Sequence, residues 1–491
     1  PPQFPKTAEN AIAFGADVQA AIKSHGHNWL NPDGYPCHVG GLDRLNPRFS
    51  DSIIEALETN AYNSYGPPLG DPDTKALFAE HLTTEYGHPI KAENCVPTSS
   101  AKSALGLVLD GYIEQGDPNK TTVYRTKAVY PLVSYKAEEN DVEQQVYQVE
   151  GRSINIEQLV SSIRDNIRLK DLDNEDHNNI IYLNNLGNPN PVKYDNLKAV
   201  IEALHQLKEE GYNINIICDE TYDFTRPEDI EHWISELDDK QKQFLTENAS
   251  IIYSSKMWGA PGGIRESLAF IPYKLREFWE KSMIEISSCV SRYLAKAIAS
   301  TLSDEEAQKI IKVDNAKMKG VGQTLHAGLQ KELDIEIEPS DGPPFLYFDV
   351  TELMKKTGHT DVKQFRNDLL NDTGVSCNIG SDFDDGRNYL RVPFGVLNEQ
   401  QAKEVPKIVG DWIKARELLN SKIAVVGGGP IGRSYTAQLM ANSNTPANIT
   451  LVSSHSSVSA IKFQRGDDDP LEVTANITRY VPENQSIYLV S

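Results

Sequence analysis

The sequence has little cysteine and no excess of basic charge, and each absence excludes a class of protein. Its five cysteines, Cys37, Cys95, Cys218, Cys289 and Cys377, are widely scattered and show no metal-binding or redox spacing. They therefore indicate reduced thiols and predict a cytoplasmic protein. The formal net charge of −22 excludes the basic footprint that nucleic-acid binding needs, and it disfavours an anionic membrane surface as a partner.

Long apolar runs are also missing. No stretch of the 491 residues is apolar for long enough to span a bilayer, and the segment 1–5 does not resemble a signal peptide. The content of 39% hydrophobic and 24% charged residues is typical of a globular protein. The length predicts about two to four domains.

Short apolar segments alternate with amphipathic ones between residues 95 and 300. This alternation predicts an α/β domain with a largely parallel sheet. The predicted strands are 121–124, 145–149, 179–183, 214–218, 251–253 and 267–271. The clearest predicted helix is 196–210, with Asp195 in the capping position and Gly211 as its stop.

One lysine lies in a segment suited to covalent chemistry. Lys256 follows the hydroxyls of Ser254 and Ser255 and precedes a Gly/Pro-rich turn that ends in Arg265. A lysine on such a tight loop can approach a carbonyl carbon. The hydroxyls and the guanidinium can bind an anion beside it. Taken alone, the same string is also typical of a surface loop.

Other polar groups follow predicted strands, where ligands of open α/β sheets gather. Ser99-Ser100 opens an apolar helix and could bind an anion or simply cap that helix. Asn188 lies in a turn after the strand 179–183. Asp219 and Tyr222 follow an apolar strand, and Tyr130 could stack on a ring or belong to the core.

In this order the motifs resemble those of fold-type-I pyridoxal-phosphate (PLP) enzymes of the class I/II aminotransferase family, over roughly 10–419. The resemblance implies the PLP-dependent transferase fold. It consists of a large domain at 49–300 with a mostly parallel sheet and a small α+β domain at 301–419. Residues 1–48 form an N-terminal arm and part of the small domain.

The resemblance also implies roles for particular residues. Lys256 matches the Schiff-base lysine, which also moves a proton. Asp219 matches the acid that pairs with the pyridine nitrogen. Tyr222 and Asn188 match the pair that hydrogen-bonds the ring phenolate oxygen, and Tyr130 matches the aromatic residue that stacks on the ring.

Phosphate, carboxylate and subunit contacts follow from the same resemblance. The implied phosphate-binding residues are Ser100, Ala101, Lys102, Ser254 and Arg265. Arg391 matches the arginine that grips the α-carboxylate of an amino acid or keto acid substrate, with Asn188 beside it. Tyr65 matches the tyrosine that reaches the phosphate of a partner subunit, which implies a homodimer.

The sequence departs from the family pattern near the phosphate. Arg265 lies one residue further from Lys256 than usual, Glu266-Ser267 stands where small apolar residues are usual, and Ser100 replaces a glycine. We expect cofactor binding and transamination of an α-amino acid. The alternatives are a lyase, a decarboxylase or a cyclase on the same fold, or a non-catalytic protein that keeps it. No metal site is expected.

A second pattern begins at the predicted strand 422–426, which runs into G-x-G-x-x-G. With a predicted helix to residue 442 and predicted strands at 448–453 and 486–491, it resembles the start of a Rossmann domain of the opine or ketopantoate-reductase kind. Gly427, Gly429 and Gly432 would bind NADP or NAD. We expect 420–491 to be a partial dinucleotide-binding domain and the chain to be the front of a fusion with a nicotinamide-dependent reductase. The alternative is a dinucleotide-binding module with a scaffold in front.

Overall fold

The computed structural model describes residues 46–59, 63–226, 231–254, 256 and 264–420, together with five short strands between 423 and 488. Most of the predicted arm 1–48 and the glycines of the G-x-G-x-x-G motif lie outside the described residues. Among the helices described, none combines the length and the apolarity that crossing a membrane requires.

A seven-stranded sheet forms the centre of the larger domain. Its strands are β1 (Cys95–Thr98), β2 (Thr121–Arg125), β3 (Glu143–Val146), β6 (Asn178–Leu183), β7 (Asn213–Asp219), β8 (Ala249–Ser254) and β9 (Ser267–Phe270). Their spatial order is β1-β9-β8-β7-β6-β2-β3, and all neighbours run parallel except around β9, which is antiparallel to both β1 and β8. A short ribbon of β4 (Val149–Glu150) and β5 (Ser153–Ile154) lies beside them.

Helices cover both faces of this sheet. They are α1 (Pro47–Glu58), α2 (Pro72–Tyr86), α3 (Ala101–Glu114), α4 (Pro131–Glu139), α5 (Ile156–Leu169), α6 (Leu197–Glu209), α7 (Asp239–Asn248), α8 (Arg276–Ile286) and α9 (Arg292–Leu302). Every residue of β6 and β8 is buried, as expected for strands enclosed on two sides. One core contains Leu105 and Val133, and the other contains Ile163 and Leu204.

The smaller domain follows the long helix α10 (Glu305–Leu333). Its antiparallel sheet has the order β10-β12-β11, with β10 (Phe345–Asp349), β11 (Asn378–Ile379) and β12 (Tyr389–Pro393). The remaining helices are α11 (Thr351–Thr357), α12 (Val362–Thr373) and α13 (Glu399–Asn420). Their core includes Leu325, Phe348, Val392 and Trp412.

The predicted α/β class and mostly parallel sheet are confirmed, but two local predictions are wrong. The predicted strand 145–149 is not continuous, because β3 ends at Val146 and Tyr147 turns inward, where its hydroxyl donates to the Tyr182 carbonyl at 2.8 Å. Asp195 does not cap the next helix. Asn196 holds the capping position, and its amide bonds the Ile154 backbone N–H and C=O at 3.0 and 2.8 Å instead.

Beyond α13, the described residues form five short strands. β13 (Ile423–Val426) pairs in parallel with both β14 (Ile449–Val452) and β17 (Ile487–Tyr488). β15 (Ile461–Phe463) and β16 (Leu471–Val473) form an antiparallel pair. The strands predicted at 422–426, 448–453 and 486–491 thus have counterparts in β13, β14 and β17.

Two glycines of α10 provide a matched test of this packing. A Cβ at Gly322 would lie 2.5 Å from the Phe394 ring, whereas a Cβ at Gly320 would meet nothing within 4 Å. We expect Gly322→Ala to destabilise the fold by about 1–3 kcal/mol through overpacking. Gly320→Ala should stabilise it by up to about 1 kcal/mol, because alanine favours a helix. Chemical unfolding measures both, and equal effects of the two substitutions would contradict the packing described here.

Candidate active site

Most of the predicted site residues line one cavity of about 330 Å³ at the carboxyl ends of the parallel strands. Its lining residues are Ser100, Ala101, Lys102, Leu105, Tyr130, Asn184, Asn188, Asp219, Thr221, Tyr222, Ser254, Lys256, Arg265 and Glu266. A larger cavity of about 570 Å³, lined by His81, Asn315 and Gly342 among others, contains none of the predicted site residues. Chemistry rather than size therefore identifies the candidate site.

Asp219 is the last residue of β7, the central strand of the sheet. It is 8% exposed, and its Oδ2 accepts a hydrogen bond from the Tyr182 hydroxyl at 2.8 Å. Its Oδ1 accepts from the Thr221 hydroxyl and from the Thr221 backbone N–H, the latter at 3.2 Å. Burial and the nearby Asp219 raise the pKa of Tyr182 well above its usual value, so Tyr182 remains a donor.

Lys256 lies against Tyr222. Its Nζ donates to the Tyr222 hydroxyl at 2.9 Å and is 4.3 Å from the centre of that ring. The Phe345 ring meets Tyr222 edge-on, with the ring centroids 5.1 Å apart. Phe345 is fully buried, and the tyrosine is thereby held at a fixed position beside the amine.

One end of the cavity is suited to an anion. Ser100 caps α3, its Oγ accepting from the Ser103 backbone N–H at 3.0 Å, and the N-terminus of this helix has unpaired N–H groups and a positive dipole end. Ser254 ends β8, and its Oγ accepts from the Lys256 backbone N–H at 3.4 Å. Arg265, with a positive φ of 58°, lines the same cavity.

Arg391 reaches Asn188 from the smaller domain. Arg391 is 6% exposed, and its guanidinium donates to the amide oxygens of Asn188 and Asn378, both at 2.6 Å. Its Cζ lies 5.2 Å from the centre of the Phe345 ring and 4.7 Å from that of Phe383. Burial lowers the pKa of Arg391, but a guanidinium stays charged in a protein. Because both amides are neutral, these two bonds leave its positive charge in place.

The other two predicted tyrosines, Tyr130 and Tyr65, lie in different surroundings. Tyr130 lines the cavity, and burial together with Tyr222 and Asp219 raises its pKa to about 12. Tyr65 lies outside the cavity and is 85% exposed. Its loop is fastened by Arg292, which donates to the Asp71 carboxylate at 2.8 and 3.1 Å and to the hydroxyl of Ser64, the residue before Tyr65, at 2.8 Å. The loop therefore holds its tyrosine at the surface.

Several residues of the site were not predicted. Asp219 accepts hydrogen bonds from Tyr182 and Thr221. Arg391 donates one to Asn378, and Asn184 lines the cavity. Tyr182 and Asn184 flank the end of β6, so their position beside Asp219 could have been inferred from the parallel order. No sequence signal points to Asn378, because β11 has two residues and its pairing with β12 alone places Asn378 opposite Arg391.

Behind Asp219 lie three buried titratable groups, Glu220, Asp223 and His232, whose possible metal-ligand atoms are all within 4.8 Å of one another. His232 Nδ1 accepts the Ile234 backbone N–H at 3.2 Å, so a neutral imidazole carries its proton on Nε2, 3.8 Å from Asp223. Such a tautomer has no lone pair for a cation there. Burial raises the pKa of Glu220 well above its usual range, which favours a bound proton there, and burial raises the pKa of Asp223 to about 6.

Comparison with known proteins identifies the family. Residues 42–407 match the family model of aminotransferase class I and II, and the chain belongs to this family. An aspartate aminotransferase of Pyrococcus horikoshii is 21% identical over 379 residues, which are 75% of this chain and 88% of that protein. The S-alkyl-thiohydroximate lyase SUR1 of Arabidopsis thaliana is 24% identical over 215 residues, covering 43% of this chain and 41% of that protein.

The fold is also that of solved aminotransferases. The crystal structure of an aminotransferase from Mycobacterium tuberculosis superposes with a TM-score of 0.68 at 17% identity, covering 84% of this chain and all of that one. The predicted enzyme class, a PLP-dependent transaminase, is confirmed by the family and its relatives. PLP is therefore the cofactor to expect.

The residues of the cavity fit this cofactor chemically. PLP has a basic ring nitrogen, a reactive aldehyde and an anionic phosphate. The cavity offers an acid in Asp219, an amine in Lys256, and an anion-binding end formed by Arg265 and the start of α3. Each end of the cofactor thus has a side chain of complementary chemistry.

Proposed function

We propose that this protein transfers the amino group of an α-amino acid to a keto acid, with PLP held in the 330 Å³ cavity. The observation that carries the proposal is the meeting of Lys256, Tyr222 and Asp219 in one cavity, next to the Asn188–Arg391 pair. When bound, PLP supplies an electron sink for bonds to the substrate α-carbon.

Lys256 would form the covalent link to the cofactor and then move the proton of the substrate α-carbon. The Tyr222 hydroxyl, 2.9 Å from Lys256 Nζ, would hold the amine in position whenever it is not bonded to the cofactor. With Asn188, Tyr222 would also hydrogen-bond the phenolate oxygen of the ring. Tyr130 would stack on the ring face.

Asp219 would keep the ring nitrogen protonated. Its carboxylate accepts from Tyr182 and Thr221, which fix its orientation. A carboxylate held as an acceptor in a water-poor site favours a positive charge beside it more strongly than the same group in water does.

Arg391 would bind the substrate α-carboxylate in a bidentate fork. Asn188 and Asn378 orient its two terminal nitrogens, and the Phe345 and Phe383 rings exclude water around it. Stabilising the ionised carboxylate in this way opposes its loss as CO₂. The arrangement therefore favours transamination over decarboxylation, while elimination, the lyase alternative, remains the second candidate reaction.

The cofactor and the lysine can be tested together by absorption spectroscopy. We expect the purified protein, supplied with PLP, to show a visible band that shifts when its amino acid substrate is added from a panel. Lys256→Ala should bind PLP without the normal band and lose at least about 10³-fold in turnover, because it removes both nucleophile and proton carrier. Lys198→Ala, at an exposed position on α6, is the matched control and should behave as the parent protein.

A second variant separates substrate binding from chemistry. Arg391→Lys keeps the charge but loses the fork, so KM for the amino acid should rise more than kcat falls. A protein that stays colourless with PLP, or a Lys256→Ala variant with an unchanged spectrum, would contradict the proposed function. Formation of product without a keto acid would favour the lyase reaction instead.

We further propose a homodimer in which Tyr65 serves the partner subunit's phosphate site. The support is the exposure of Tyr65 on a loop that Arg292 fastens. Sedimentation should give twice the mass of one chain. Mixing Lys256→Ala chains with Tyr65→Ala chains should restore PLP binding of parental affinity, because one site of each mixed dimer then has both intact residues. A monomer, or a mixture that recovers nothing, would contradict shared sites.

A second proposed activity concerns 420–491, which we infer to be a dinucleotide-binding segment that precedes a reductase. The parallel pairing of β13 with β14 and β17 supports it, because a Rossmann unit begins with such strands. NADPH or NADH fluorescence should change on titration, and Gly429→Val should weaken this binding at least about tenfold by blocking the backbone approach to the pyrophosphate. Glu202→Gln, exposed on α6, is the control. Absence of binding by the parent chain would reject the proposal.

The proposal includes the predicted domain bounds and the predicted cytoplasmic localisation. We infer a large domain at 49–300 and a small domain at 301–419. The described cysteines, Cys95, Cys218, Cys289 and Cys377, are free thiols. Free thiols support a cytoplasmic enzyme.

A further inference from the structure

Glu266 occupies an unusual position at the anion-binding end of the cavity. The next residue, Ser267, begins β9 and pairs with both Thr98, at the end of β1, and Ser254, at the end of β8. Because β9 is antiparallel to these two strands, Glu266 enters the sheet at the edge where they leave it. Glu266 therefore lies between the start of α3 and the end of β8 at Ser254, the two places that are proposed to bind phosphate.

The carboxyl group is buried there without a full set of partners. Glu266 is 3% exposed, lines the cavity, and its Oε1 has no hydrogen-bond partner within the part of the chain that the structure describes. An ionised carboxylate at this place would repel a bound phosphate. A neutral carboxylic acid, in contrast, has an O–H that can donate to a phosphate oxygen.

Charged and titratable groups reach this cavity from several elements. They are Lys102 on α3, Tyr130 at the start of α4, Asp219 and Tyr222 after β7, and Lys256 and Arg265 on either side of the loop that joins β8 to β9. Burial is the cause that raises the pKa of Glu266, to about 9. Glu266 therefore carries its proton at neutral pH.

We propose that Glu266 binds the cofactor phosphate as a neutral carboxylic acid, donating its O–H to a phosphate oxygen beside Arg265, and that its ionisation weakens the site. The inference rests on the proposed function, since it concerns the phosphate of PLP. Glu266 stands where the family usually has a small apolar residue, and the inference gives this glutamate a binding role.

The direction of the pH effect follows from the two states of the carboxyl group. Below about pH 8 the proton is present, and Glu266 adds no pH dependence to the binding of phosphate. As the pH rises through the pKa of Glu266, the donor becomes an anion, and binding of the phosphate requires uptake of a proton. A single linked proton lowers the affinity by up to about tenfold for each pH unit. Glu266→Gln keeps a neutral N–H donor at every pH and should not show this loss.

The test compares equilibrium binding to the full chain freed of cofactor, between pH 7 and pH 10. The probes are PLP and pyridoxal, which has the same ring and aldehyde but no phosphate. Every other source of pH dependence is common to the parent and to Glu266→Gln, so the ratio of their dissociation constants isolates Glu266. For PLP, the parent-to-Glu266→Gln ratio should be near one at pH 7 and reach about ten at pH 10. For pyridoxal it should stay flat.

A second variant keeps the test decisive if Glu266→Gln does not fold. Glu266→Leu introduces an apolar side chain that has no hydrogen-bond donor. This variant should bind PLP about tenfold more weakly at pH 7, as expected for one lost hydrogen bond to a charged group. Its binding should show no additional loss at alkaline pH.

Two results would overturn the inference. One is an alkaline loss of PLP affinity in Glu266→Gln equal to that of the parent, and the other is a rising ratio for pyridoxal as well as for PLP. Failure of the parent chain to bind PLP at pH 7 would instead reject the proposed function itself. The two failures are therefore distinguishable in the same titration.

Discussion

The arrangement of the site depends on one buried carboxylate at the end of the central strand. Asp219 ends β7, which has three strands on either side in the sheet. A carboxylate at this depth costs free energy unless donors or a cation compensate it. Tyr182 and Thr221 supply the donors, and a protonated ring nitrogen would supply the cation. In the proposed function, the position of Asp219 would therefore determine where the ring lies and which neighbouring strand ends reach it.

Much of this site could be predicted from the sequence because its motifs are local and parallel sheets have a simple rule. Asn188, Asp219 and Lys256 each follow a different apolar strand, and the carboxyl ends of parallel strands meet at one edge. The order of the motifs therefore predicted that they would meet without any knowledge of distances. The hydrogen bond between Lys256 and Tyr222 and that between Asn188 and Arg391 are consistent with this prediction.

What could not be predicted depends on register and burial. Asn378 lies opposite Arg391 because the two-residue strand β11 pairs with β12. No pattern in the sequence around Asn378 predicts this contact. Tyr147 interrupts a predicted strand because its hydroxyl finds the Tyr182 carbonyl, a partner 35 positions away. Asn196 likewise bonds Ile154 rather than its own helix. In each case a contact between distant segments outweighs a local preference.

Arg391 and Glu266 show two ways of burying an ionisable group, and both favour an anionic ligand. A guanidinium cannot release its proton, so Arg391 stays charged among neutral amides and aromatic rings. A carboxyl group can keep its proton, and burial raises the pKa of Glu266 so that it does. The cavity itself is lined by three basic residues, Lys102, Lys256 and Arg265, and by two acidic ones, Asp219 and Glu266, inside a chain of net charge −22. Such a cavity would suit the proposed ligands, because PLP and an amino acid each have an anionic group.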